Sequence, residues 1–182
     1  MVFTIYNLVE VVWLILPAYA ANGLAPLAGL RKRNHPIDGG RMFGKSRLLG
    51  EGKTWEGLAL GIGVAILISL VEMAAFPYLP WGLSDRPLLI VPMSAALGLL
   101  LGLGSMLGDI AGSFVKRRLG RPRGTPVPLL DQLDFLAGAF LLAALAVPVK
   151  IEWVLLMAVL TPLFHLTANL IGFRLGVKKT PW

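Results

Sequence analysis

Five apolar stretches, each near membrane-crossing length, constrain this chain more than any other feature. They run from about Val2 to Leu27, Gly57 to Phe76, Leu88 to Ala111, Leu129 to Val147 and Trp153 to Phe173. A helix needs ~20 mostly apolar residues to cross the hydrocarbon core. The expected fold is therefore an all-α integral membrane protein, a bundle of five transmembrane helices. A long cytoplasmic loop, Ala28 to Thr54, joins the first two, and residues 1–182 read as one transmembrane domain. With 56% hydrophobic and 15% charged residues, the chain has too little charge to cover a soluble domain. It has no Cys, which excludes disulfides, thiolate chemistry and Cys-bound zinc. The first apolar run lacks a basic leader and a small-residue cleavage site, so it reads as a span that stays. Trp13, Trp55, Tyr78, Trp81 and Trp153 mostly fall near proposed span ends, as interfacial aromatics do.

Charge then sorts the loops. Arg31, Lys32, Arg33, Arg41, Lys45, Arg47 and Lys53 lie between spans one and two. Lys116, Arg117, Arg118, Arg121 and Arg123 lie between three and four, and Arg174, Lys178 and Lys179 follow five. Only Arg86 and Lys150 lie on the other side. The positive-inside rule places a multi-pass protein in the cell membrane, N-terminus outside and C-terminus cytoplasmic. The net charge of +7 fits anionic lipid or an acidic substrate, and the apolar runs favour these over nucleic acid. Asp38, Glu51, Glu56, Asp109, Asp131 and Asp134 share the basic side, with Asp85 and Glu152 opposite. Glu10 and Glu72 fall in or near spans one and two, where a carboxylate is either functional or structural.

Four segments carry chemistry. In the first, Ser105, Asp109, Ser113 and Lys116 form one helical stripe. It lies beside Gly104, Gly108 and Gly112, whose four-residue spacing reads as helix packing, like Gly57 and Gly61. In the second, Asp131 and Asp134 share a helix face at the start of span four, as caps or as ligands. With Asp109 ending the preceding span, they make a candidate three-carboxylate cluster. Hard oxygen ligands of this kind suit Mg²⁺ bridging to a substrate polyphosphate.

The third segment, Gly44 to Gly57, holds Gly-Lys-Ser (Lys45, Ser46) and Gly-Lys-Thr (Lys53, Thr54), which is phosphate-binding material. Gly39 to Ser46 matches the P-loop pattern letter for letter. That motif has meaning only after a buried parallel strand, and basic, polar residues with Pro36 precede it here, so a P-loop fold is rejected. The fourth is Ala21-Asn22-Gly23 at the end of span one, a helix terminus or a ligand edge at Asn22. His35 and His165 do not read as a metal pair, and His165 with Asn169 reads as helix–helix packing.

Together these residues resemble the archaeal CDP-archaeol synthase family. The pattern Gly108-Asp109, Ser113, Lys116-Arg117, followed by Asp131 and Asp134, is also similar to the signature of CDP-diacylglycerol synthases. There the last element reads Asp-Arg-x-Asp, and Gln132 stands in place of the Arg. The resemblance covers nearly the whole chain. It implies a membrane nucleotidyltransferase condensing CTP with an unsaturated archaetidic acid to CDP-archaeol and pyrophosphate, with Mg²⁺. It implies a metal site at Asp109, Asp131 and Asp134, with Lys116 and Arg117 neutralising phosphate. Lys45, Ser46, Lys53 and Thr54 would close on the triphosphate, Asn22 would read cytosine or ribose, and Ser113 would contact phosphate or water. A CDP-alcohol phosphotransferase is excluded because Phe135, not Gly, follows Asp134. The alternative is a small transporter or channel with a phosphate-binding cytoplasmic face, using Glu10, Glu72 and His165.

Overall fold

The computed structural model describes residues 4–30, 34–81 and 86–174, and only the backbone of residues 168, 169 and 172. Val2, Arg31, Lys32, Arg33, Asp85, Lys178, Lys179 and the side chain of Asn169 lie outside the described residues. The described residues form α1 (Ile5–Leu24), α2 (Trp55–Ala75), α3 (Ala95–Arg118), α4 (Leu130–Ala143) and α5 (Ile151–Arg174). With their 3-10 extensions, Ile5–Leu30 and Trp55–Tyr78 are long and apolar enough to cross a membrane, as is Ala95–Arg118. The fourth expected run is only a 14-residue helix, whereas the helix of the fifth extends over 24 residues, Ile151–Arg174.

Local chemistry explains the helix ends. Thr4, Thr54 and Ser94 cap α1, α2 and α3, each hydroxyl accepting a backbone N–H three residues on. The third helix departs most from expectation. It starts at Ala95 rather than Leu88, because Pro92 disfavours helix in the residues before it. It then continues to Arg118, where Gly120 adopts φ +70° and the Arg121 N–H reaches back to the Lys116 carbonyl. Asp109 therefore stands well inside a helix and does not end one.

The loop before α2 corrects the all-α expectation. It contains an antiparallel hairpin, β1 (Met42–Phe43) and β2 (Ser46–Arg47). Gly44 takes φ +65° at its two-residue turn, a backbone state that favours glycine. The P-loop look-alike thus folds as a hairpin, in keeping with its rejection. A bridge between Pro36 and Thr54 closes the base of the loop.

One apolar core joins α1, α3, α4 and α5 through Leu14, Ile15, Leu101, Phe140, Trp153 and Met157. The glycines of α3 serve two neighbours. A Cβ at Gly98 or Gly102 would press on Ser69 or Ala65 of α2. A Cβ at Gly104 or Gly108 would press on the backbone of α4 at Gly138 or Asp134. Lipid tails give helices little hydrophobic reason to associate, so this backbone approach is what packing has to work with. It also sets Asp134 directly against α3.

Candidate active site

The Gly-Lys-Thr segment, the middle of α3 and the start of α4 meet at the basic end of the bundle. Lys53 pairs with Asp109. Lys116 pairs with Asp131, Nζ to Oδ1 at 2.7 Å, and the other Asp131 oxygen accepts the Val127 N–H at 3.0 Å. Asp134 Oδ1 accepts the Phe135 N–H at 2.6 Å, while Oδ2 lies where a Cβ at Gly112 would intrude. Asp134 is within electrostatic reach of Asp109, Lys53 and Lys116. Two lysines and three carboxylates therefore make one cluster drawn from the loop, α3 and α4. Neither Asp131 nor Asp134 bonds a first-turn N–H of α4 in the manner of an N-cap, so capping does not account for the pair.

One cavity borders this cluster, and a second lies at the hairpin and the end of α3. One, of about 130 Å³, is lined by Asn22, Lys53, Thr54, Gly57, Met106 and Asp109. The other, of about 830 Å³, lies between the hairpin and the end of α3, lined by Lys45, Ser46, Arg117, Arg118, Arg121 and Arg123 among others. The sequence-expected residues thus divide into two groups. Asn22, Lys53, Thr54 and Asp109 share the first cavity. Lys45, Ser46 and Arg117 share the second. Ser113 is buried on the α3 face that carries Asp109 and Lys116.

Some expected ligands have structural employment. Thr54 Oγ1 caps α2, accepting the Gly57 N–H at 3.1 Å. Ser46 Oγ donates to the Arg117 carbonyl at 3.2 Å and accepts from Arg118 at 3.0 Å, which docks the hairpin on α3. By contrast Arg117 is 9% exposed, and its Nε is buried with no hydrogen-bond partner among the described residues. The Arg117 Nε–H is thus an unmet donor in a side chain that lines the second cavity.

Sequence reasoning missed the scaffold of this site. Asp38 is buried and pins the loop: Arg47 Nη2 donates to its Oδ1 at 2.6 Å, and the N–H groups of Gly40, Leu49 and Gly50 also reach its carboxylate. The Arg47 guanidinium and then those backbone donors hold its carboxyl well below the usual range, against the opposing effect of burial. Arg118 donates to the carbonyls of Phe43 and Arg47 and stacks on the Phe43 and Phe114 rings. Asp38-Gly39-Gly40 carried a turn signal. Arg118 looked like one more loop cation. His35 bonds Glu56, Nδ1 to Oε1 at 2.5 Å, and His165 faces Gln132 of α4 at 3.3 Å.

Carboxylate oxygen is the donor Mg²⁺ prefers, and Asp109 on α3 and Asp134 on α4 lie close enough to interact electrostatically. Among the described residues no three ligating side chains converge on one point. The ammonium groups of Lys53 and Lys116 instead hold the cation positions beside Asp109 and Asp131. The carboxylate donor chemistry suits a divalent cation, while Lys53 and Lys116 occupy two of the three carboxylates.

Known proteins resemble this chain over nearly its whole length. Residues 4–182 match the family model described as CarS-like CDP-archaeol synthase. The chain is 45% identical to the CDP-archaeol synthase of Halobacterium salinarum, covering 97% of each sequence. It is 42% identical to that of Methanosphaerula palustris, covering 92% of this chain and all of the relative. A solved structure described as an intramembrane enzyme for archaeal membrane lipids biosynthesis superposes with a TM-score of 0.72 at 37% identity. That match covers 88% of this chain and 93% of the other.

Proposed function

The chain belongs to the CarS-like CDP-archaeol synthase family, and on that premise we propose that its basic end joins CTP to an ether-lipid phosphate. It is a membrane cytidylyltransferase of archaeal lipid synthesis. An oxygen of the lipid phosphate, an unsaturated archaetidic acid, attacks the α-phosphorus of CTP. A new P–O bond forms, the α–β bridge breaks, and the electron pair leaves with pyrophosphate. The lipid phosphate is already anionic at neutral pH, so no general base is needed. Catalysis is positioning and charge neutralisation.

Lys53 enters from the loop and Lys116 from α3, both able to leave their carboxylates for phosphate oxygens. Arg117 supplies its unmet N–H, Lys45 approaches from the hairpin turn, and Ser46 and Thr54 hold the loop in place. Ser113 contacts phosphate or water beside Lys116, and Asn22 reads the cytosine or ribose from the first cavity. Asp109, Asp131 and Asp134 would hold Mg²⁺, which when bound neutralises triphosphate charge. The site faces the cytoplasm, where CTP is available. All five helices then count as spans of one domain, N-terminus outside and C-terminus inside, with the loop basic residues setting that orientation.

The observation that carries this reading is the joining of the Lys53–Asp109 and Lys116–Asp131 pairs with Asp134, the first pair lining one cavity while Lys45 and the arginines at the end of α3 line another. The transporter alternative lacks such support: Glu10 is saturated by hydrogen bonds at the other end of the bundle, Glu72 is buried on α2 with neither carboxylate oxygen hydrogen-bonded among the described residues, His165 faces Gln132, and no three acidic or histidine side chains of those residues come together there. Purified protein in detergent, given ring-labelled CTP, Mg²⁺ and phosphatidic-type lipids, should yield a labelled CDP-lipid. No such product with any of these lipids would overturn the reading.

A further inference from the structure

The segment from Gly44 to Gly57 contains a carboxylate, Glu56, that the proposed reaction leaves unused. Resting on the cytidylyltransferase reading above, we infer that Glu56 is a positioning residue: its carboxylate grips His35, and so holds the stretch of chain that carries Lys53 beside Asp109. Glu56 Oε2 accepts the His35 N–H at 2.9 Å, and Oε1 lies 2.5 Å from the ring Nδ1. Backbone bonds join the same two stretches. The Trp55 N–H donates to the His35 carbonyl at 3.0 Å and the Ile37 N–H to the Lys53 carbonyl at 2.8 Å, with Pro36 opposite Thr54. Pro36 has no N–H to add. So short a ladder is marginal by itself. Glu56 extends it by two contacts at the end nearest α2.

This ladder walls the first cavity. Ile37 lines the cavity from one stretch and Lys53 and Thr54 from the other, while neither His35 nor Glu56 lines it. Glu56 therefore acts on the cavity through the backbone and not by contact. Lys53 reaches Asp109 of α3 from the laddered stretch. If that stretch were free to shift, its ammonium would leave the place where phosphate charge develops, and misplacement by about 1 Å is costly to a reaction that works by positioning. A capping-box acid would stand three residues after Thr54, where the chain has Gly57, so Glu56 does not serve that purpose. An acid in the first turn of α2 also suits the helix dipole, but that role alone has no consequence at Ile37. The side chain of His35 is 77% exposed, so replacing it loosens the grip without opening the core.

Glu56→Ala, Glu56→Gln and His35→Ala separate these roles. Glu56→Gln keeps an oxygen for the His35 N–H and an amide for the ring nitrogen. The kcat for CTP turnover falls about tenfold in Glu56→Ala and stays within about threefold of wild type in the other two. Equal losses in the Ala and Gln variants, as a metal ligand would give, overturn the proposal. Adding Glu56→Ala to Lys53→Ala costs nothing further, because both act through one ammonium, and losses that multiply overturn it. Hydrogen exchange without CTP gives the second reading. The Ile37 and Trp55 amides exchange about tenfold faster in Glu56→Ala than in wild type, and near the wild-type rate in Glu56→Gln. His35→Ala, changed at an exposed side chain, gives about threefold faster exchange even if Glu56→Ala does not fold. Unchanged exchange at Ile37 in either variant overturns the proposal. Because exchange needs no turnover, faster exchange in a protein that makes no CDP-lipid would remove the enzyme reading alone.

Discussion

The bundle has a carboxylate cluster at each end, and the two are built differently. At the far end Glu10 is 3% exposed, and its carboxylate accepts from Lys150 Nζ at 2.6 Å, Trp153 Nε1 at 3.0 Å and the Leu89 N–H at 2.7 Å. Those donors come from α5, the turn before it, and the segment ahead of α3, so one residue of α1 ties three parts of the chain together. At the basic end the Lys53–Asp109 and Lys116–Asp131 pairs are partly exposed, and the first of them borders a cavity. Arg117 Nε there has no partner among the described residues. The Glu10–Lys150 pair also borders a cavity, of about 480 Å³, so room alone does not separate the ends. A carboxylate saturated by three donors is a fastener, whereas Asp109 and Asp131 with fewer donors are freer to exchange partners. The residue types alone do not separate the two cases, since each cluster pairs carboxylate with lysine.

The largest contrast is expected from the two lysines. Lys116→Ala should lower CTP turnover about 100-fold, a typical cost for a lost charge-stabilising donor, with an unchanged melting temperature. Lys150→Met should do the reverse, leaving turnover per folded molecule near wild type. It should cost about 2 kcal/mol of stability, because it strips a buried carboxylate of its counter-charge. Turnover and thermal melts of both variants check this. Loss of turnover in Lys150→Met at full stability would break the comparison.

A smaller effect tests the scaffold. Arg118→Ala frees the hairpin from α3 and should raise the KM for CTP about fivefold, a change of roughly 1 kcal/mol, with kcat little altered. Steady-state kinetics decide it, and an unchanged KM would show that the hairpin does not hold Lys45 and Ser46 for the nucleotide.

The smallest effect is a pH dependence. The Asp38 carboxyl is depressed in the folded loop, so its contribution is fully present above the ordinary aspartate value of ~3.9. It is lost as pH falls below that value toward the lowered one. Hydrogen exchange of residues 34–54 should stay slow from neutral pH down to that point and rise below it. Asp38→Asn should show fast exchange at every pH.

Much of this was legible in the sequence, for physical reasons. The apolar runs announced the helices because a bilayer demands length and hydropathy together. Asp109, Lys116, Asp131 and Asp134 were visible because polar groups at membrane depth are rare and periodicity placed them on shared faces. The start of α3 was misread because Leu88–Met93 is apolar yet carries Pro92, and hydropathy does not register backbone. The shortness of α4 was missed because Ala144–Val147 is apolar but forms turns. Asp38 and Arg118 went unseen because their work is long-range within a polar loop, where one more acid or base looks like solvated charge.

The central claim is that the basic-end cluster is the catalytic one and the far-end cluster is structural. Asp134→Asn and Glu10→Gln, measured side by side for CTP turnover and melting temperature, test it most directly. Asp134→Asn should abolish turnover without lowering the melting temperature, and Glu10→Gln should lower the melting temperature while turnover persists. Near-normal turnover in Asp134→Asn would contradict it.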